Sequence, residues 1–282
     1  MAEWSEDDLA IGGIPIHYYR LGRAGGPPVV LLHGFSDAGL CWLRLARDLA
    51  PDYDVVMFDA AGHGRSGGPE HGFRERAVGD VLAAIDGLGL TRPALVGHSM
   101  GAATAAGVAA EASERLRGVA LEDPPWRDGP PPAPVASPTA TGIRAPLRSP
   151  EWVAWLRSLK TMPPEERYAM AATERPGWAE VDRVHWADAK ARFNLAVVDQ
   201  PPDAGRPPWR EVAGRIRCPV LLITADPARG AIVTPEAAAE AARLWPNARV
   251  VQIPGAGHNI RRDQYEPYRA AVTDFLGGLA GG

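Results

Sequence analysis

Cysteine is nearly missing from this chain: Cys41 and Cys218 are the two among 282 residues. Two thiols build no disulfide framework, and they are expected as buried thiols of a reducing compartment. An excess of either charge is lacking as well. The 30 Lys and Arg face 34 Asp and Glu, a formal net charge of −4, so nothing in the balance draws in nucleic acid or anionic lipid. No apolar run approaches the roughly 20 residues of a membrane span. The start, Met1 to Asp8, is acidic and holds no apolar stretch of an export signal. Metal-ligand spacings are absent too: there is no cysteine cluster and no His-x-x-x-His. The glycine-rich stretch 62–68 lacks the Lys-Ser/Thr ending of a phosphate cradle, and no dinucleotide fingerprint occurs. These absences predict a cytoplasmic globular protein without cofactor, metal, nucleic-acid or membrane partner, a monomer or a homodimer.

What is present is an alternation. Leu9–Ile11 and Ile14–Leu21 flank Gly12-Gly13 as a hairpin would. Val29-Val30-Leu31-Leu32 is a continuous apolar run, as expected of a strand buried on both faces of a parallel sheet. Helical spacing over 38–49, a strand over 53–59, a helix over 73–88, the strand ending at His98, a helix over 100–112 and a strand over 116–121 follow in turn. Then the pattern breaks. Residues 124–138 are proline-rich, with Pro130-Pro131-Pro132 inside, and helices are expected from Ser149-Pro150-Glu151 (serine as N-cap), over 164–174 and over 178–199. Strand and helix resume with Val220–Thr224, 235–245, 248–253 and a last helix ending near Leu276. This predicts a doubly wound, mostly parallel eight-stranded α/β sheet: core residues 1–123 and 212–282, interrupted by a helical cap over 124–211. Six of the nine tryptophans, Trp126, Trp152, Trp155, Trp178, Trp186 and Trp209, lie in the interruption. They can glue a small helical layer together or line an apolar pocket; Trp126 and Trp155 are the candidates for substrate contact.

The chain is organised around Gly97-His98-Ser99-Met100-Gly101, an apolar strand before it and a helix after. A serine on such a sharp turn stands clear of the sheet, and flanking small residues avoid clashes. The Met100 N–H, at the helix start, points to the space in front of Ser99. A serine nucleophile needs a base, and near neutral pH that is histidine. Among seven histidines, His258, in the glycine-rich loop after the last strand, is the candidate; His33 is expected to brace a neighbouring loop.

With those motifs, and with His33-Gly34-Phe35 and Asp59 followed by Gly62-His63-Gly64-Arg65-Ser66, the sequence resembles the α/β-hydrolase superfamily over nearly its whole length. The resemblance implies that the N–H groups of Phe35 and Met100 form an oxyanion hole, and that the order serine, acid, histidine holds. For the acid, most of the family uses the loop after the strand matching Val220–Thr224. There Asp226 comes two residues too early. A second placement, as in zearalenone-type lactonases and several dehalogenases, follows the preceding strand and matches Asp123, 24 residues beyond Ser99. Asp123 is therefore expected as the acid, with Asp226 and then Glu122 as the alternatives. A serine nucleophile argues against dehalogenase and epoxide-hydrolase chemistry. The expected activity is hydrolysis of a small to medium hydrophobic carboxylic ester or lactone. A C–C bond hydrolase, a cofactor-free perhydrolase and a slow-turnover ligand receptor are the alternatives.

Overall fold

A computed structural model describes residues 4–68, 72–127, 149–198, 207–245 and 247–279. The Pro130–Pro132 stretch and Pro201-Pro202 lie outside the described residues. Eight strands form one sheet: β1 (Ser5–Ile11), β2 (Ile14–Gly22), β3 (Pro28–Leu32), β4 (Asp54–Phe58), β5 (Ala94–His98), β6 (Gly118–Glu122), β7 (Val220–Thr224) and β8 (Ala248–Gln252). Their order is β1-β2-β4-β3-β5-β6-β7-β8. β1 and β2 pair antiparallel around the Gly12-Gly13 turn, β2 joins β4 antiparallel, and every later pairing is parallel.

Among the described residues ten helices accompany them: α1 (Leu43–Leu49), α2 (Phe73–Gly87), α3 (Met100–Ala112), α4 (Pro150–Thr161), α5 (Pro164–Glu174), α6 (Glu180–Arg192), α7 (Trp209–Arg215), α8 (Pro235–Leu244), α9 (Ile260–Asp263) and α10 (Tyr265–Gly278). Because successive strand residues point to opposite faces, each apolar run feeds two cores. Val30, Leu32, Leu95, Leu121 and Leu222 meet α2, α3, α7 and α8 on one face. Val29, Leu31, Val96, Ala120 and Leu221 meet α1 and α10 on the other. The doubly wound sheet expected from the sequence is the one observed. Both cysteines are free and buried, Cys41 and Cys218.

Between β6 and β7 stand α4, α5, α6 and α7. The expected N-cap at Ser149 is made, its hydroxyl accepting the Trp152 N–H at 3.2 Å. The single helix expected over 178–199 is shorter. It ends at Arg192 and gives way to a 3-10 turn over Leu195–Val197, capped by the Asn194 side chain. Helix α7 was not foreseen, and the expected domain boundary at 211 falls inside it. Among the described residues no helix is long and apolar enough to cross a membrane.

Candidate active site

The site begins with strain. Ser99 joins the end of β5 to the start of α3 with φ of +52° and ψ of −112°, a conformation that side chains rarely adopt. Two glycines make the turn possible. A Cβ on Gly101 would be driven into the carbonyls of Leu32 and His33, and one on Gly97 into the Gly101 carbonyl. The Ser99 N–H donates to the Glu122 carbonyl at 2.9 Å, tying the turn to the end of β6.

Three segments distant in sequence converge there. His258 Nε2 lies 3.0 Å from Ser99 Oγ, and His258 Nδ1 lies 2.6 Å from Asp123 Oδ2. With the Nδ1 proton directed at the carboxylate, Nε2 is left to accept from the serine hydroxyl. Asp123 has no exposed surface, and its φ of +40° turns it out of the strand direction. Its carboxylate also accepts the N–H of Ile232, at 2.8 Å, and of Val233, at 2.9 Å. The His258 side chain keeps 29% of its surface exposed, so the imidazole is both held and reachable.

The two alternative carboxylates are engaged elsewhere. Asp226 accepts the Gly255 N–H at 2.7 Å and braces the loop leading to His258. Glu122, next to Asp123 but on the opposite face, accepts the Arg261 N–H at 3.0 Å and its guanidinium at 3.2 Å.

Phe35 and Met100 come together in an apolar cluster with Trp152, Leu156, Phe193 and Val197. The Phe35 ring stacks on Trp152, centroids 6.2 Å apart, and meets Phe193 edge-on at 5.3 Å. Trp152 and Phe193 were not singled out from the sequence. A useful signal was available, since Trp152 stands one turn into a well-capped helix, on its apolar side. Trp155 is half-buried between this cluster and a second one around Trp186, 6.0 Å away. Trp126, the other candidate for substrate contact, belongs to the core cluster on the sheet and not to the one around Phe35. It is 3% exposed, stacked on Trp209 at 5.2 Å and packed against Trp245 at 5.7 Å, so other indoles cover the ring.

Histidines support the site from behind. His98 Nε2 faces the His258 carbonyl at 2.9 Å, and the two rings lie 4.8 Å apart. His33 Nε2 accepts the Ala60 N–H at 3.0 Å while Nδ1 faces the Gly34 carbonyl at 2.8 Å. His63 Nε2 meets the Phe35 carbonyl at 2.6 Å. Burial keeps these rings neutral. It pushes His33 down to about 3 and His98 well below the ordinary histidine value, and it lowers His63 against the pull of the Ala61 and Phe35 carbonyls.

A buried ionic cluster adjoins them. Asp37, two residues after Phe35, meets Lys190 at 3.1 Å, Arg261 at 3.0 Å and Arg262 at 2.9 Å. Burial alone would raise the Asp37 carboxyl, but Arg262, Lys190 and Arg261 hold it well below the usual carboxylate range. From the same side Trp178 donates its indole N–H to Asp263 at 2.8 Å, and Asp263 accepts the Gly257 N–H at 2.9 Å. Among the described residues no group of three His, Cys, Asp or Glu could hold a metal ion.

The chain belongs to the alpha/beta hydrolase family, whose profile matches residues 29–271. An N-formylmaleamate deformylase of Pseudomonas putida is 29% identical over 276 residues, covering 95% of each chain. Among solved structures, an N-formylmaleamic acid deformylase of Pseudomonas putida S16 superposes with a TM-score of 0.75 at 21% identity, covering 95% of this chain and 100% of that one. An esterase of Rhodococcus gives 0.71 at 23%, covering 98% and 99%. An enol-lactonase of Burkholderia xenovorans gives 0.64 at 24%, covering 96% and 99%. At these identities the structures speak for the fold alone.

Proposed function

We propose that the protein is a serine hydrolase of a small to medium hydrophobic carboxylic ester or lactone. Ser99 is the nucleophile, His258 the general base and Asp123 the acid that orients it. The observation that carries this reading is the continuous chain Asp123–His258–Ser99, with links of 2.6 and 3.0 Å, ending on a serine in a strained turn. His258 Nε2 takes the Ser99 proton as Oγ attacks the carbonyl carbon. The negative oxygen that forms is met by the N–H groups of Phe35 and Met100. Collapse of this adduct expels the alcohol, which leaves with the proton from His258, and the acyl group stays on Ser99. Water, deprotonated by the same imidazole, then releases the acid. Asp123 stabilises the imidazolium at each stage and does not itself take the proton.

In this reading the helices between β6 and β7 act as a cap, and Trp152, Leu156, Phe193 and Val197 give the substrate an apolar roof. A second reading keeps the triad and changes the bond: an N-formyl or related amide. The full-length likeness to an N-formylmaleamate deformylase favours it.

The test is a panel of p-nitrophenyl esters from acetate to decanoate, a lactone and an N-formyl amide, assayed with the wild type, Ser99→Ala, Asp123→Asn and Asp226→Asn. We expect Ser99→Ala to be inactive on every compound the wild type cleaves. Preference for the N-formyl amide over all esters replaces the first reading by the second. Undiminished activity of Ser99→Ala ends both.

A further inference from the structure

The chain contains 30 basic residues, of which Lys160 and Lys190 are the only lysines. Lys190, on α6, is 4% exposed. Its ammonium donates to the Ser36 carbonyl at 2.6 Å and to Asp37 Oδ1 at 3.1 Å. The first of these bonds leads back to the site. The amide that shares a peptide group with the Ser36 carbonyl is the Asp37 N–H, and this donates to the Gly34 carbonyl at 3.0 Å. The amide that shares a peptide group with the Gly34 carbonyl is the Phe35 N–H. The Gly34 carbonyl has a second partner in His33 Nδ1 at 2.8 Å.

We propose that Lys190 is a positioning residue for the Phe35 N–H: through two peptide groups in series, its buried charge orients and polarises the donor that meets the oxyanion. This rests on the reading of Phe35 as an oxyanion donor. Hydrogen bonds in series polarise one another, each accepted bond on a carbonyl making the N–H of the same peptide a stronger donor. The surroundings leave the ammonium effective. Lys190, Arg261 and Arg262 are three buried cations, while Asp37 and Glu122 are the two buried carboxylates they meet. Asp37 is shared among all three cations, so it does not cancel any one of them. A lysine also fits this place better than the arginine used elsewhere. A compact charge can address one carbonyl and one carboxylate oxygen together, where a planar fork demands more room. Because Lys190 comes from α6, the relay makes the oxyanion loop depend on the helices between β6 and β7.

The test compares the wild type, Ser99→Ala, Lys190→Met and Lys190→Gln on the ester of the series that the wild type cleaves fastest. Active sites are counted by end-point titration with a fluorophosphonate, so that kcat refers to folded molecules. A trifluoromethyl ketone, which forms a tetrahedral oxyanion on serine, reports the oxyanion contact by itself. We expect Lys190→Met to lose about tenfold in kcat, a fraction of what loss of a whole donor costs. KM should stay within about twofold, and the ketone should bind about tenfold more weakly. Lys190→Gln, a neutral donor, should fall between, and it replaces Lys190→Met if that variant does not fold. An inactive Ser99→Ala beside Lys190 variants with unchanged kcat and ketone affinity overturns the inference and leaves the proposed function standing. So does a loss confined to the number of titratable sites, which is the signature of structural support alone. A Ser99→Ala variant as active as the wild type overturns both.

Discussion

Asp123 and Asp226 lie on neighbouring strand ends, and their partners separate them. Asp123 holds the imidazole of His258; Asp226 holds a loop amide. In the proposed triad Asp123→Asn removes the charge that would stabilise the imidazolium and offers the imidazole an amide where it now meets a carboxylate. Its kcat should fall by about 10³- to 10⁴-fold. Asp226→Asn keeps an oxygen for the Gly255 N–H, and activity should stay within a few-fold of the wild type. Steady-state kinetics of the pair decides: equal losses would mean that Asp123 does not do the work assigned to it. This distinction was half legible in the sequence. The resemblance to relatives that place the acid after the strand following the nucleophile implied Asp123, 24 residues beyond Ser99, and strand alternation said that Glu122 had to face the other way. What the spacing could not supply was the positive φ of Asp123 or the two backbone N–H groups that fix its carboxylate. Those depend on the Ile232–Val233 loop, more than a hundred residues downstream.

At the scale of elements, the elbow between β5 and α3 has little tolerance. Gly101 lies in α3 with the backbone of β3 pressed against it, so Gly101→Ala must part the helix from the sheet. We expect a loss of at least about 3 kcal/mol in urea unfolding, since backbone cannot yield as a flexible side chain does. A loss below about 1 kcal/mol would show that the helix has room to move. The strands and most helices could be read from the chain because continuous apolar runs and capping residues are local signals. The tryptophans could not be sorted that way. Nothing local separates Trp126, locked between Trp209 and Trp245, from Trp152, laid on Phe35. Trp152 lies near the start of α4 and Trp126 follows soon after β6, yet which neighbour each meets is decided by how α4 and α7 return to the sheet. Helix α7 escaped notice because its few apolar residues follow closely on Pro207-Pro208, which reads as the end of a segment.

For the whole molecule, acid is the predictable weakness. His33, His63 and His98 are buried with lowered proton affinity, and in the unfolded chain each regains an ordinary pKa near 6.5. A group whose folded pKa is depressed contributes stability that is complete above its unfolded value and lost as the pH falls below it. Stability should therefore be flat between about pH 7 and pH 8 and decline below about 6.5. The slope is about 1.4 kcal/mol per pH unit for each histidine that stays neutral in the native state. Asp37, also depressed, adds to the loss only in stronger acid, below the ordinary carboxylate value of 3.8. Urea midpoints at pH 8 and pH 5 test this. Equal midpoints would mean that the native protein accommodates the protons.

The linkage of α6 to the Phe35 loop bears on any attempt to recombine hydrolases. The segment between β6 and β7 looks like a module to be exchanged for one with another pocket. It carries Lys190, one of the three cations that meet Asp37, and Trp178, whose indole N–H donates to Asp263. A chimaera with a foreign segment would leave two carboxylates of the host one partner short each, one of them beside the Phe35 loop and the other beside His258. A transplant succeeds only if the graft brings its own lysine and indole to those places.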